Sequence, residues 1–193
     1  AGIQKKKAAE AASAKATAEA DDSNTVTWQG KTYKYNQNLS NYLLLGVDKR
    51  TPAETRVGKA DAGQADALFL LSLNRKTKEM TLISIPRDTM TDVESFDLEG
   101  KSLGKSKDHI SLSYGYGDGG AESCKLTQEA VSNLFYGLPI QGYLAMNLDG
   151  IPELSKSVGG LTVTVPNNSL EYKYPEFAEG AEVTLTEENT EVF

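Results

Sequence analysis

The sequence predicts a layered α/β fold in which a mixed β-sheet carries helices on its faces. Three observations lead there. In the second half of the chain, short runs of Leu, Val and Ile alternate with stretches of helical periodicity. Two β-rich runs, 67–73 and 80–85, are separated by only the polar stretch 74–79, which forces an antiparallel pair into the sheet. The run Tyr42-Leu43-Leu44-Leu45-Gly46-Val47 is nearly all apolar, as a strand buried on both faces must be.

The elements follow in order. Residues 1–24 hold nine alanines among Lys, Glu, Ser and Thr but no Leu, Val or Phe, so they read as a frayed helix, stalk or linker. Residues 25–193 form the domain proper. From Thr25 to Tyr35, apolar and polar residues alternate about Gly30, the pattern of a small hairpin. The 42–47 strand stops at Asp48, and the 80–85 strand stops at Pro86, which has no N–H to continue a ladder. A long loop rich in Gly, Asp and Lys is expected from Asp92 to about Lys107. Gly115 to Gly120 reads as a flexible lead into a helix over 121–135, where Cys124, Val131 and Leu134 share one face and Gly137 follows as the stop. A strand over 142–146, a helix over 149–158 ended by Gly159-Gly160, and a strand over 161–165 complete the alternation. Beyond Pro166 the chain turns acidic and poorly patterned.

Composition excludes several functions. Hydrophobic residues at 39% and charged residues at 24% are ordinary globular values, and no run reaches the ~18 apolar residues that cross a bilayer as a helix. With 27 acidic against 20 basic residues the net charge is −7. Because 1–24 is balanced, the folded body carries that excess and lacks a positive footprint for nucleic acid. One cysteine and one histidine exclude a disulfide framework and any zinc site built only from Cys and His.

An antiparallel hairpin puts the start of its first strand beside the end of its second, so Asp66 is expected near Arg87 and Asp88. If the 42–47 strand runs parallel to the 80–85 strand, Asp48 and Arg50 reach the same edge. Carboxylate oxygens hold a hard cation such as Mg²⁺, and arginine pairs in bidentate fashion with phosphate oxygens, so this mixture suits a pyrophosphate. Ordinary surface ion pairing is the competing reading. A nucleophilic triad would have to use His109 and lacks a G-x-S-x-G elbow, and a His109–Cys124 dyad competes with an inert core thiol.

At these residues the chain resembles the LytR-CpsA-Psr family, from about Asn41 onward. The blocks that carry the likeness are Tyr42 to Arg50, Gln64 to Ala67, Ile83 to Thr89 (S-I-P-R-D-T), Ile110 to Gly115 and Gly159 to Pro166. The resemblance implies a three-layer α-β-α sandwich with a mixed central sheet, on the extracellular face of the bacterial membrane, tethered by an N-terminal anchor not contained in these residues. Residues 1–24 then read as a juxtamembrane stalk. The implied activity is phosphotransfer of a glycopolymer from an undecaprenyl-pyrophosphate carrier to peptidoglycan. In that picture Asp48 and Asp66 place Mg²⁺, Arg50, Arg87 and His109 bind phosphate, and Asp66, Arg87 and Asp88 take the catalytic roles. His109 stands where relatives often have Lys, and the family's R-x-R pair is expected after Phe193. A polyprenyl-pyrophosphate-binding module without turnover is the alternative, and a transcriptional regulator is disfavoured by the acidic body.

Overall fold

A computed structural model describes residues 24–49 and 55–192. Residues 1–23 of the expected stalk, and Arg50, lie outside the described residues. The chain divides into two units, 1–39 and 40–193.

In the first unit, β1 (Thr25–Trp28) and β2 (Lys31–Lys34) pair antiparallel, with Trp28 opposite Lys31. Gln29 and Gly30 both take positive φ, at 48° and 74°. That two-residue turn matches the right-handed twist of the strands it joins.

The central sheet has the order β5-β4-β3-β8, with β3 (Leu39–Val47), β4 (Ala65–Asn74), β5 (Met80–Ile85) and β8 (Gly142–Asn147). It is mixed, as expected: β4 and β5 are antiparallel with Leu68 opposite Ile85, whereas β3 and β8 are parallel with Leu43 opposite Tyr143. The Asp48 N–H donates to the Gln64 carbonyl at 3.1 Å, and Gly46 backs onto Ala67. The end of β3 thus meets the start of β4. Consequently β3 and β5 point the same way, but β4 lies between them, so they are not direct neighbours.

Strand alternation sends Leu43, Leu45, Val47, Leu68, Leu70 and Ile85 to one face. There they bury against Cys124, Ala130 and Val131 of α2 (Ala121–Leu134), next to Tyr114 of the short α1 (Leu112–Gly115). Each such aliphatic side chain, fully buried, contributes roughly 1.5–3 kcal/mol. On the opposite face, Ile151 of α3 (Gly150–Ser157) lines a space with Gly46, Ala67 and Met146. The rest of that face is open, with Met80, Leu82 and Leu144 more than half exposed. Among the described residues no helix is long and apolar enough to cross a membrane.

The structure corrects three expectations. The stretch from Asp92 to Lys107 is no loop but the hairpin of β6 (Met90–Phe96) and β7 (Ser102–His109), with Met90 opposite His109. Its alternation is hard to see because only Thr91 and Val93 turn inward onto α2, while Asp92 and Lys107 pair across the outer side at 3.1 Å. Second, β9 (Leu161–Thr164) is not part of the central sheet: it pairs antiparallel with β10 (Glu182–Leu185). The segment beyond Pro166 is organised, with Val165, Phe177 and Leu185 buried together in a small separate core. Third, the lead into α2 is tied down. The Ser123 hydroxyl donates to the Tyr114 carbonyl at 2.6 Å, and the Tyr114 hydroxyl donates to the Gly119 carbonyl at 3.0 Å.

Asp118 anchors that lead. Its Oδ1 accepts the backbone N–H groups of Gly120 (2.8 Å), Glu122 (3.1 Å) and Ser123 (3.3 Å). Partial burial pushes the carboxyl up, but the N–H groups of Gly120, Ser123, Asp118 itself and Glu122 together outweigh it, and the net shift is downward. A carboxylate held below its unfolded value contributes stability above the unfolded pKa, and that contribution is lost as pH falls through the folded one. Asp118→Ala is expected to lower stability at pH 7 by about 1 kcal/mol. The gap from wild type should shrink as pH drops below about 4, which denaturant titrations at the two pH values measure.

Candidate active site

Pro86 ends β5 and opens a tight turn in which the Thr89 N–H donates to the Pro86 carbonyl at 3.0 Å. Arg87 and Asp88 occupy the two central positions of that turn. Its backbone is fixed to the start of α1, because the Arg87 carbonyl accepts the Ser111 N–H at 3.2 Å and the Thr89 carbonyl accepts the Ile110 N–H at 2.9 Å. The arginine therefore projects from a held turn rather than a loose loop.

The Arg87 guanidinium is the hub of the sheet edge. Nη1 forms an ion pair with Asp66 Oδ1 at the start of β4, Nη2 donates to Gln64 Oε1 at 2.6 Å, and Nε stands 3.7 Å from Asp88 Oδ1. Gln64 links this cluster to β3, since its backbone N–H donates to Asp48 Oδ1 at 2.7 Å. Gly63 makes that approach feasible: its φ is +96°, and a Cβ there would come within 2.8 Å of Asp48 Oδ1. His109 joins from β7, with Nδ1 3.2 Å from Asp88 Oδ1. The structure thus gathers Asp48, Asp66, Arg87, Asp88 and His109 at one rim. Arg50 lies outside the described residues.

Gln64 is the participant that charge reasoning missed. A neutral amide gives no electrostatic signal in a sequence, and only its place one residue after Gly63 and two before Asp66 pointed to it.

The rim is open to solvent, with the Arg87 and Asp66 side chains 42% and 37% exposed. Asp48 and Asp66 both line a space of about 250 Å³ there. Among the described residues no three His, Cys, Asp or Glu side chains gather into a closed metal site. Two carboxylates at one opening do fit the way Mg²⁺ is held when substrate phosphates supply further oxygens. A second cavity of about 410 Å³ begins at the same strand ends and runs between sheet and helices, lined by Val47, Ala145, Met146, Tyr114 and Cys124. Lys49 also lines it, and the thiol and phenol of the cavity are passive. Burial, reinforced by Asp118, pushes the Cys124 thiol up to about 11, and burial pushes the Tyr114 phenol up to about 12. Cys124 is a core thiol, and His109 turns to Asp88, so the two form no nucleophilic dyad.

The described residues form a mixed α/β domain with an arginine held among carboxylates at one sheet edge. The profile of the LytR_cpsA_psr family matches residues 2–192, and the chain belongs to that family. The polyisoprenyl-teichoic acid–peptidoglycan teichoic acid transferase TagU of Bacillus licheniformis is 32% identical over 145 residues, 74% of this chain and 39% of that protein. Its namesake in Bacillus cereus ATCC 14579 is 34% identical over 140 residues, 72% of this chain and 38% of that protein. Among solved structures, protein gbs0355 of Streptococcus agalactiae aligns with a TM-score of 0.56 at 27% identity, covering 81% of this chain and 51% of that one. TagV of B. subtilis aligns with a TM-score of 0.55 at 26% identity, covering 82% and 56%. The chain spans about two fifths of the length of these curated relatives and just over half of the solved chains.

Proposed function

We propose that the chain carries the catalytic domain of a phosphotransferase that moves a glycopolymer from an undecaprenyl-pyrophosphate carrier onto peptidoglycan. The observation that carries this reading is the Arg87 hub, a guanidinium held in place by Asp66 and Gln64 at the sheet edge where β3 ends, with a largely apolar cavity lying at the end of β3 around Val47 and Lys49. Arg87 pairs with the pyrophosphate oxygens and neutralises the charge that shifts onto them in transfer. The polyprenyl chain lies in the cavity beneath Val47 and Ala145. Asp48 and Asp66 would hold Mg²⁺, which supplies further charge neutralisation when bound. Both substrates belong to the outer side of the cell membrane, so the domain works there, tethered by an N-terminal anchor as the resemblance implies.

The reading is tested by calorimetric titration of a short polyprenyl pyrophosphate with Mg²⁺ and again with EDTA, followed by assay of transfer to peptidoglycan fragments. Binding that requires the cation and is weakened in Asp66→Ala supports it. Tight binding indifferent to EDTA, or none to the folded protein, would count against it. Ala145→Phe separates the two halves of the site: filling the cavity should weaken polyprenyl pyrophosphate at least tenfold, in line with about 1.4 kcal/mol or more of lost apolar burial. Inorganic pyrophosphate, which has no tail, should bind as before.

A further inference from the structure

His109 ends β7 opposite Met90, and its ring reaches across to the turn that carries Arg87. Asp88 Oδ1 is shared between the His109 Nδ1 at 3.2 Å and the Arg87 Nε at 3.7 Å. The ring is 48% exposed, and among the described residues Nε2 meets no hydrogen-bond partner. A carboxylate on one ring nitrogen selects the tautomer: the proton resides on Nδ1 and the lone pair on Nε2. In that form the free nitrogen accepts a proton and has no N–H to offer a phosphate oxygen.

The charged neighbours favour the same role. From the turn come Asp88 and Arg87. On β7 itself, Asp108 Oδ1 accepts the His109 backbone N–H at 2.8 Å, and Lys107, on the same side of the strand, is held by Asp92 of β6 at 3.1 Å. Asp66, the other carboxylate of the rim, is engaged by the Arg87 guanidinium. Nε2 therefore has no ion-pair or hydrogen-bond partner among the described residues, whereas Asp66 and Asp88 are engaged by Arg87 and Asp48 accepts the Gln64 N–H.

We propose, resting on the function above, that His109 is the general base for the acceptor hydroxyl and that Asp88 is its positioning residue. The hydroxyl oxygen forms a bond to the phosphorus that bears the glycopolymer, and its proton passes to Nε2. The bond from that phosphorus to the bridging oxygen breaks, and polyprenyl phosphate departs with the electron pair. Nε2 then returns its proton to water. This assignment replaces the phosphate-binding role that the resemblance implies for His109, and the two roles predict opposite outcomes with lysine.

The test compares wild type with His109→Gln, His109→Lys and Asp88→Asn, measuring kcat for transfer and Kd for polyprenyl pyrophosphate separately. As a base, His109 should lose about 10²- to 10⁴-fold in kcat in both His109→Gln and His109→Lys, with Kd within about threefold of wild type. Since the chain has a single histidine, its imidazole ¹⁵N signals are assigned without ambiguity and need no turnover. They should show the Nδ1–H tautomer in wild type and lose that preference in Asp88→Asn. Wild-type transfer by His109→Lys, unchanged kcat in His109→Gln, or an Nε2–H tautomer in wild type would each overturn the base assignment alone. Absence of transfer by the wild-type protein would overturn the proposed function and the base with it.

Discussion

Arg87→Ala is expected to slow transfer by about 10²- to 10³-fold, the usual loss when one preorganised charge stabiliser is removed. Three contacts converge on this side chain, from Asp66, Gln64 and Asp88, and each limits the directions in which its fork can point. Removing it takes away the guanidinium that Asp66 and Asp88 face. Arg87→Lys should recover little, because an ammonium retains the charge but cannot present two parallel N–H groups while also holding Gln64. The fold should be nearly indifferent. The side chain is 42% exposed, and the turn is held by backbone bonds to Ile110 and Ser111 that the substitution does not touch. Denaturant midpoints within about 0.5 kcal/mol of wild type, measured beside the titration, would separate a functional rim from a structural one. Parallel loss of binding and stability would make the rim a structural ion-pair cluster.

Phe177→Ala is expected to cost about 3–5 kcal/mol, the range for deleting a fully buried phenyl ring, and to do so locally. Phe177 has no exposed surface and packs with Val165 and Leu185, and with Tyr174 edge-on at a ring separation of 6.3 Å. No residue of the larger core belongs to this cluster. Hydrogen exchange should therefore show amides of β9 and β10 losing protection while those of β3 and β4 keep theirs. Uniform loss across both groups would mean that the two cores unfold as one.

The α/β class was legible because apolar strands such as 42–47 carry their own signal, but the expected burial on both faces does not hold: β3 buries Leu43, Leu45 and Val47 on its helix-covered side, while Tyr42 on the other side is 37% exposed. The S-I-P-R-D-T block was legible for a related reason, since Pro86 must end the strand and the charges after it must sit at the edge. The hairpin of β6 and β7 was not legible. Its outer side is a row of charges, its inner side offers only Thr91 and Val93, and the packing of α2 rather than local hydrophobicity makes it a strand pair. The small C-terminal core was hidden likewise, because its three buried residues are scattered from Val165 to Leu185 and recognise one another only after the chain has turned back.

The candidate site divides in the same way. By itself the sequence determined which residues stand at strand ends, Asp48, Asp66, Arg87 and Asp88, because the period of a strand and the chemistry of proline are local properties. Tertiary structure alone decided that β4 would lie between β3 and β5, that Gln64 would bridge Asp48 to Arg87, and that the lone imidazole of a remote hairpin would meet Asp88 through Nδ1. Those are contacts between residues far apart in the chain, and their geometry is set by how the hairpin and α2 pack on the sheet, a property that no local stretch of sequence encodes.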